Sequence, residues 1–364
     1  MKILHVEAGR YLYGGAQQVA YLVQGLAERG IDNVLVCPPG AAIGAHFSRD
    51  RAGPRVRVLE TACNGDLDFG FVRRLRRIID AEQPQLVHLH SRRGADVLGG
   101  IAARRSGVPA VLSRRVDNPE HPMWARWKYA RYAKVICISK GIAEVLLAEG
   151  VAAERIAVVR SAVDAAPWTQ PASRTEFCTE FKVDPDALLV GVAAQLIERK
   201  GHRVLLQALR DLPEHTQLAV LFFGQGPLRS ALEQEVRSLG LQQCVRFAGF
   251  RQDLARWMGC LDLLVHPAYR EGLGVSLLQA AAAGVPIIAS RAGGMPEAVG
   301  DGENGLLVPP GNAEALALAL RRLIADPDLR RQFAAGGIAR IAREFSIAAM
   351  VEGNLQIYRR LLGR

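Results

Sequence analysis

The chain has 364 residues and a net charge of +10, with 49% hydrophobic and 23% charged residues. That length exceeds one core of ordinary size, so two domains are expected, with the balance of a soluble globular enzyme whose charge favours anionic partners such as nucleotides, nucleic acid or acidic lipid headgroups. No uninterrupted apolar run approaches membrane-spanning length, and Met1-Lys-Ile-Leu-His-Val enters a strand at once, leaving no room for a signal peptide.

In chain order, Ile3 to Val6 reads as a buried strand and Ala16 to Arg29 as an amphipathic helix ending at Gly30. Between them Tyr13-Gly14-Gly15-Ala16 makes a glycine turn at a helix N-terminus. Strands follow at Val34 to Cys37 and Arg55 to Leu59, then a helix at Phe69 to Ala81 carrying Arg73, Arg74, Arg76 and Arg77. Leu86 to His90 is a strand, Ala95 to Arg105 a helix, and Ala110 to Ser113 and Val135 to Ile138 are strands. Ser139 is expected to cap the helix running to Glu149, and Ile156 to Arg160 closes this half. Strands alternating with helices imply a parallel sheet covered on both faces, a Rossmann-like domain.

Two features of this half carry chemistry. His88 and His90 are expected to point to opposite faces of their strand, His88 as a core histidine and His90 toward a ligand, together with Ser91, Arg92 and Arg93. The reason is position, because ligands of open α/β sheets bind beyond the C-terminal strand ends. The run Met123 to Lys134 interleaves Trp124, Trp127, Tyr129 and Tyr132 with four cations, and Arg114 and Arg115 add to the charge. It suits contact with an anionic membrane surface, or else a solvated helix face with its aromatics tucked inward.

Ser161 to Ser173 has no periodicity and reads as a hinge, after which the alternation restarts. Strands are expected at Leu188 to Ala193, Leu218 to Phe223, Val245 to Ala248 and Leu261 to His266, with a helix from Gly201 to Leu209. Leu306 to Val308 is a short strand, a helix begins near Glu314, and Leu329 to Phe345 and Met350 to Leu362 finish the chain as helices. The expected domains are 1–165 and 174–345, with 346–364 as a helix packing back toward the first. The six cysteines (Cys37, Cys63, Cys137, Cys178, Cys244, Cys260) are scattered without metal-ligand spacing and read as free thiols of a reducing cytosol.

The second half is organised around Arg270 to Ser290, read as a loop, a short helix from Val275 to Ala283 and a strand from Val285 to Ser290. Gly272 and Gly274 turn the loop, and Gly284 stands where a left-handed cap is expected. A glycine turn feeding a helix N-terminus is either an anion site, built from unpaired N–H groups and the helix dipole, or a plain loop-to-helix turn. Lys200-Gly201 places a cation at the same edge, with Arg199 adjacent, which is what a diphosphate needs. Glu271 would be repelled by phosphate and should face neutral hydroxyls; Gln279 follows about 12 Å further along the helix axis.

Taken together these motifs resemble the retaining glycosyltransferases of the GT-B fold, family 4, over nearly the whole chain. The resemblance rests on Gly14-Gly15, His88-x-His90, Ser139, Val158 to Asp164, Lys200-Gly201, Phe223-Gly224-x-Gly226 and Phe247-x-Gly249. It continues through Glu271-Gly-x-Gly with Ala280, Gly284-x-Pro286, Gly293-Gly294-x-Pro-Glu297 and Asn304-Gly305. It implies an α/β GT-B architecture, two Rossmann-like β/α/β domains facing each other across a cleft. The implied activity moves a sugar from a nucleotide-diphospho-sugar to a hydroxyl of a glycan or lipid-linked acceptor in lipopolysaccharide, capsule or a related envelope glycan.

By the same resemblance Gly14 and Gly15 would meet the donor phosphates and His90 would sit near the reactive side of the sugar. Lys200 would hold the diphosphate, Glu271 would contact sugar hydroxyls, and the amides of Gly272, Leu273, Gly274 and Val275 would hold phosphate or sugar. Backbone from Phe250 to Leu254 would read the base, and Gly224, Gly249, Gln195, Arg199 and Gln279 complete the donor-binding set. The expected chemistry is electrostatic stabilisation of the leaving diphosphate, without a dedicated base, a cofactor or a bound metal. The chain departs from the family pattern at Gln279, where a second Glu is usual, at Gln195, where an Arg is usual, and at Ser161-Ala162, where Asn-Gly is usual.

A cytoplasmic location follows, with peripheral contact at the inner face of an anionic membrane as a further expectation. The alternative is a catalytically impaired nucleotide-sugar-binding protein, suggested by Gln195 and Gln279. A dinucleotide-dependent dehydrogenase is disfavoured because the first glycine turn lacks Gly-x-Gly-x-x-Gly and Cys37-Pro38 stands where an acidic residue is needed. Nucleic acid is not an expected partner, since charge alone would support it.

Overall fold

Seven strands in the first half and six in the second pair in parallel among the described residues, which requires a covering crossover between successive strands. The structure is a computed structural model that describes residues 1–12, 14–48, 53–90, 94–212 and 217–364. Tyr13, Ser91, Arg92 and Arg93, placed by the sequence beside the glycine turn and His90, lie outside the described residues.

The first unit comprises Met1–Ala162 and Ile347–Arg364. It runs β1 (Lys2–Val6), α1 (Gly15–Glu28), β2 (Asp32–Cys37), α2 (Ala42–Ser48), β3 (Val56–Glu60), α3 (Gly70–Glu82) and β4 (Leu86–Leu89). The segment expected as one helix over 95–105 begins with a π-helical turn, Ala95–Gly99, and continues as α4 (Gly100–Arg105). Then come β5 (Ala110–Arg114), α5 (Pro122–Tyr129), β6 (Lys134–Cys137), α6 (Lys140–Ala148) and β7 (Ile156–Val158). Ser139 caps α6 by accepting from the Ile142 N–H at 3.2 Å. The sheet has seven strands in the order β3-β2-β1-β4-β5-β6-β7.

The second unit is Val163–Ser346. It runs α7 (Arg174–Phe181), β8 (Leu188–Ala193), α8 (His202–Arg210), β9 (Leu218–Phe223), α9 (Arg229–Ser238), β10 (Val245–Phe247), α10 (Leu254–Met258) and β11 (Leu263–His266). It continues with α11 (Val275–Ala282), β12 (Ile287–Ser290), α12 (Met295–Ala298), β13 (Gly305–Val308), α13 (Ala313–Ala325) and α14 (Pro327–Glu344). Its six strands order as β10-β9-β8-β11-β12-β13. Helix α7 is announced by a capping box, Ser173 accepting from the Glu176 N–H while the Glu176 carboxylate accepts from the Ser173 N–H. That signal lay at the end of the segment expected as a hinge.

After the second unit the chain returns to the first as α15 (Ile347–Leu361), which packs on α1. Strand alternation sorts the first core into two layers. Leu4, Val6, Val87 and Leu89 face the cluster that includes Leu75, Leu98 and Tyr129. Ile3 and Leu86 face the opposite way, against Leu22, Val351, Leu355 and Tyr358 from α1 and α15. The C-terminal helix thus covers apolar sheet surface that α1 alone leaves open. All six cysteines are free, as expected, with Cys37, Cys137 and Cys178 buried.

Leu355→Ala should therefore lower stability by about 2–5 kcal/mol through a cavity under α15. The exposed Leu318→Ala on α13 should change it by less than about 0.5 kcal/mol. Urea unfolding of both variants measures the difference.

Candidate functional site

In each sheet, neighbouring strands send their connections off in opposite directions at one point, and the C-terminal edge there is the natural ligand crevice. In the second unit this point lies between β8 and β11, and in the first between β1 and β4. Lys200 follows β8 and Glu271 follows β11, so residues 71 apart in sequence meet across that gap. The Lys200 ammonium pairs with Glu271 Oε2, and His266, the last residue of β11, places Nε2 at 3.3 Å from the same oxygen. Burial by itself would raise the Glu271 carboxyl, but the His266 hydrogen bond and the Lys200 charge outweigh it and hold it down at about 2. Burial in turn lowers His266, with the Glu271 hydrogen bond acting against it.

The turn after Glu271 is shaped by backbone geometry. Gly274 takes φ +86°, a left-handed value that an L side chain resists, and forms the N-cap of α11 without a side-chain cap. Among the described residues, no protein acceptor is found for the backbone N–H groups of Leu273, Gly274, Val275 and Ser276. These donors stand at a helix N-terminus, where the partial charge is positive. The turn is held from below by Gly293 and Gly294. A Cβ at Gly293 would lie 2.1 Å from the Glu271 carbonyl oxygen, and one at Gly294 2.0 Å from that of Gly272. The Gly294 N–H donates to the Glu271 carbonyl at 2.9 Å.

Other expected donor residues lie along the same edge. Arg199 is exposed and donates to the Arg270 carbonyl at 3.2 Å, while its own carbonyl accepts from the Tyr269 N–H at 2.9 Å. Arg199 therefore fastens the two turns to each other. Gln195 is exposed just beyond β8, and Gly224 is buried just beyond β9. Gly249 and the exposed Phe250 follow β10, at the far end of the sheet from Glu271. Gln279 is half-buried in α11.

In the first unit, a cavity of about 530 Å³ opens at the β1–β4 point, lined among others by Glu7, Gly15, His90, Arg114, Arg115 and Lys128. Gly14, with φ +55°, caps α1, and Gly15 borders the Arg115 side chain. Burial pushes the Arg115 guanidinium down to about 10, with Glu7 opposing. Lys128 is buried between Asp96 at 2.5 Å and Glu120 at 3.0 Å.

The structure corrects the expectation for the histidines. His88 and His90 share a face, with ring centroids 3.8 Å apart, because side chains two residues apart on a strand project the same way. His5 of β1 joins them, its Nδ1 being 3.1 Å from His90 Nε2. His88 reaches the Tyr358 hydroxyl through Nδ1 and the Ser113 hydroxyl through Nε2. Among the described residues these three histidines are the one group of donor side chains close enough to converge on a metal ion. Several of their ring nitrogens are already engaged in hydrogen bonds.

The basic, aromatic run also differs from the inward-facing alternative. Tyr129 and Tyr132 are buried, but Met123, Trp124 and Trp127 are 68%, 46% and 45% exposed. The two tryptophans stack at 4.7 Å, and the Arg131 guanidinium lies 3.3 Å from the Trp127 ring centroid. The eight-residue helix α5 carries Trp124, Trp127 and Tyr129, and cannot turn all three toward one core.

The family described as "Glycosyl transferases group 1" matches residues 173–340, and "Glycosyltransferase Family 4" matches residues 13–166. The chain is 30% identical to the lipopolysaccharide core biosynthesis glycosyltransferase LpsE of Rhizobium meliloti, over 98% of each protein. The chain belongs to the group 1, family 4 glycosyltransferases. This glycosyltransferase is also 31% identical to the 2-deoxystreptamine glucosyltransferase of Streptomyces kanamyceticus, over 80% of each. Its fold is GT-B: the crystal structure of Anabaena HepE in complex with UDP superposes with a TM-score of 0.85, at 22% identity and covering all of both chains.

Sequence reasoning placed Lys200 and Glu271 at one edge but missed His266, whose signal was a polar residue ending the apolar run of β11. It also missed His5, Asn33 and Glu7, which look unremarkable without strand pairing. Because the folded Glu271 carboxyl lies below the usual 4.5, the stabilisation from its charge is complete above pH 4.5 and is lost as pH falls toward 2. Glu271→Gln should cost about 3–5 kcal/mol at pH 7 by stranding the Lys200 charge. The deficit should shrink between pH 4.5 and 2, as urea unfolding across that range would measure.

Proposed function

We propose that this glycosyltransferase moves a sugar, with retention at the anomeric carbon, from a nucleotide-diphospho-sugar to a hydroxyl of a lipopolysaccharide-core or related cell-envelope glycan. The observation that carries the reading is the Lys200–Glu271 pair beside a turn whose N–H groups find no protein acceptor among the described residues. A leaving diphosphate needs a cation and directional donors, and Lys200 with the amides of Leu273 to Ser276 supplies both. Glu271, held ionised, accepts hydrogen bonds from sugar hydroxyls. Gln279 bonds ribose hydroxyls through its amide, and backbone around Phe250 reads the base.

Lys200 supplies charge that a divalent ion could otherwise provide, which supports a metal-independent reaction; transfer that survives EDTA is the expected result. The names of relatives support the acceptor class, LpsE being a lipopolysaccharide core enzyme. HepE has been solved with UDP-glucose, which makes UDP-sugars the first donors to screen. The exposed Met123, Trp124 and Trp127 beside Arg131 supports peripheral contact with an anionic membrane carrying that acceptor. No helix among the described residues is long and apolar enough to cross a membrane.

A thermal-shift screen against UDP-, GDP-, ADP- and CMP-sugars should identify one base whose donors stabilise the protein. With that donor, Lys200→Ala is expected to abolish transfer while leaving the circular dichroism spectrum unchanged; near-normal turnover would refute the assignment. Gln279→Glu should preserve or raise donor affinity by calorimetry.

A further inference from the structure

A line of hydrogen bonds crosses the first sheet from β2 through β1 to the end of β4, and its direction can be worked out from one amide. The Asn33 Nδ2 group donates to the Ile31 carbonyl at 2.8 Å. Flipping that amide would set its oxygen against a carbonyl oxygen, so Asn33 Oδ1 must be the atom that meets His5 Nε2 at 3.1 Å. An oxygen there accepts, so His5 Nε2 carries the proton. His5 is fully buried, and burial pushes it down to about 4 despite the Asn33 bond, so the ring is neutral at physiological pH and its Nδ1 is bare.

A bare His5 Nδ1 is an acceptor, and His90 Nε2 lies 3.1 Å away. His90 Nε2 must therefore donate. Burial holds the His90 imidazole well below its usual range, with His88 and His5 adding to the effect, so this ring is neutral as well. Its remaining nitrogen, Nδ1, is then an unprotonated acceptor. That atom is buried and has no hydrogen-bond partner among the described residues, on a side chain only 4% exposed that lines the 530 Å³ cavity. A buried acceptor without a partner costs about 1–3 kcal/mol, a cost that a bound donor group removes.

We propose that Asn33 and His5 are positioning residues that hold His90 in its Nε2–H tautomer, so that His90 Nδ1 accepts a hydrogen bond from a sugar hydroxyl in this cavity. The inference rests on the glycosyltransferase reading for the identity of that hydroxyl, but the tautomer rests on the geometry of the first unit. Neither Asn33 nor His5 touches the sugar. They act by deciding whether His90 accepts or donates. With the opposite tautomer, the cavity would present an N–H, and a hydroxyl could meet it only through its lone pairs.

The test begins on the unmodified protein labelled with ¹⁵N-histidine, in which two-bond proton–nitrogen correlations distinguish the tautomers of all eight histidines. Assignment by single His→Gln variants should show His5 and His90 both protonated on Nε2. A His90 protonated on Nδ1 overturns the proposal, without bearing on donor binding in the second unit.

Asn33→Leu removes the acceptor that sets the line, and Asn33→Gln retains both an amide acceptor and an amide donor. Asn33→Leu should mix or invert the His90 tautomer and lower kcat/KM about tenfold, the worth of roughly one hydrogen bond. Nucleotide affinity should be unchanged in both variants, and Asn33→Gln should restore the tautomer and most of the transfer. An Asn33→Leu enzyme with an altered tautomer but full activity overturns the positioning role. Should Asn33→Leu fail to fold, the spectrum of the unmodified protein still decides the tautomer. Absence of transfer from every nucleotide-sugar by the unmodified protein would instead overturn the functional reading alone.

Discussion

A parallel sheet must send each strand's connection over one face, and where two neighbours send theirs in opposite directions the carboxyl edge is left uncovered. That constraint operates once in each unit, between β1 and β4 and between β8 and β11. Residues at the two points have little in common in sequence, yet both points gather polar side chains at the ends of apolar strands. In the second unit the gap is bridged by Lys200 and Glu271, and in the first by His5 and His90. The helices serve mainly to bury the faces of the sheets that hold these edges in place.

The two edges solve different electrostatic problems. At the β8–β11 edge a buried ammonium and carboxylate neutralise each other, and the carboxylate stays ionised because His266 and Lys200 outweigh its burial. At the β1–β4 edge the three histidines are held neutral by burial, so polarity is expressed through proton position rather than charge. A neutral, directional line suits hydroxyl recognition, while a charged pair beside free N–H groups suits a diphosphate.

Most strands and long helices were legible because their signals are local: apolar runs, caps and glycine stops. The expected Ser139 cap is present, and Gly284 takes its left-handed conformation with φ +69°. What was misread depended on orientation or on short elements. His88 and His90 were assigned to opposite faces although a spacing of two places them together. The aromatic run, for which an outward and an inward arrangement were both open, divides: the tryptophans of α5 are exposed and the neighbouring tyrosines buried. Helices α2, α7 and α10 are too short for periodicity to announce them, although Ser173 and Glu176 carried a capping box in plain view.

From the sequence alone came two α/β halves, a family resemblance, and the nomination of Lys200, Glu271, His90 and the 272–275 turn. These follow from residue identity at short range, where spacing and propensity act directly. The tertiary structure decided which groups share a proton or a charge: His266 on Glu271, His5 on His90, Tyr358 on His88. It also decided why Gly293-Gly294 belongs to the motif, since only the packed backbone shows that a Cβ there would strike the Glu271 turn. Those facts depend on strand register and on chain segments tens to hundreds of residues apart, and no local pattern encodes a distance across a sheet.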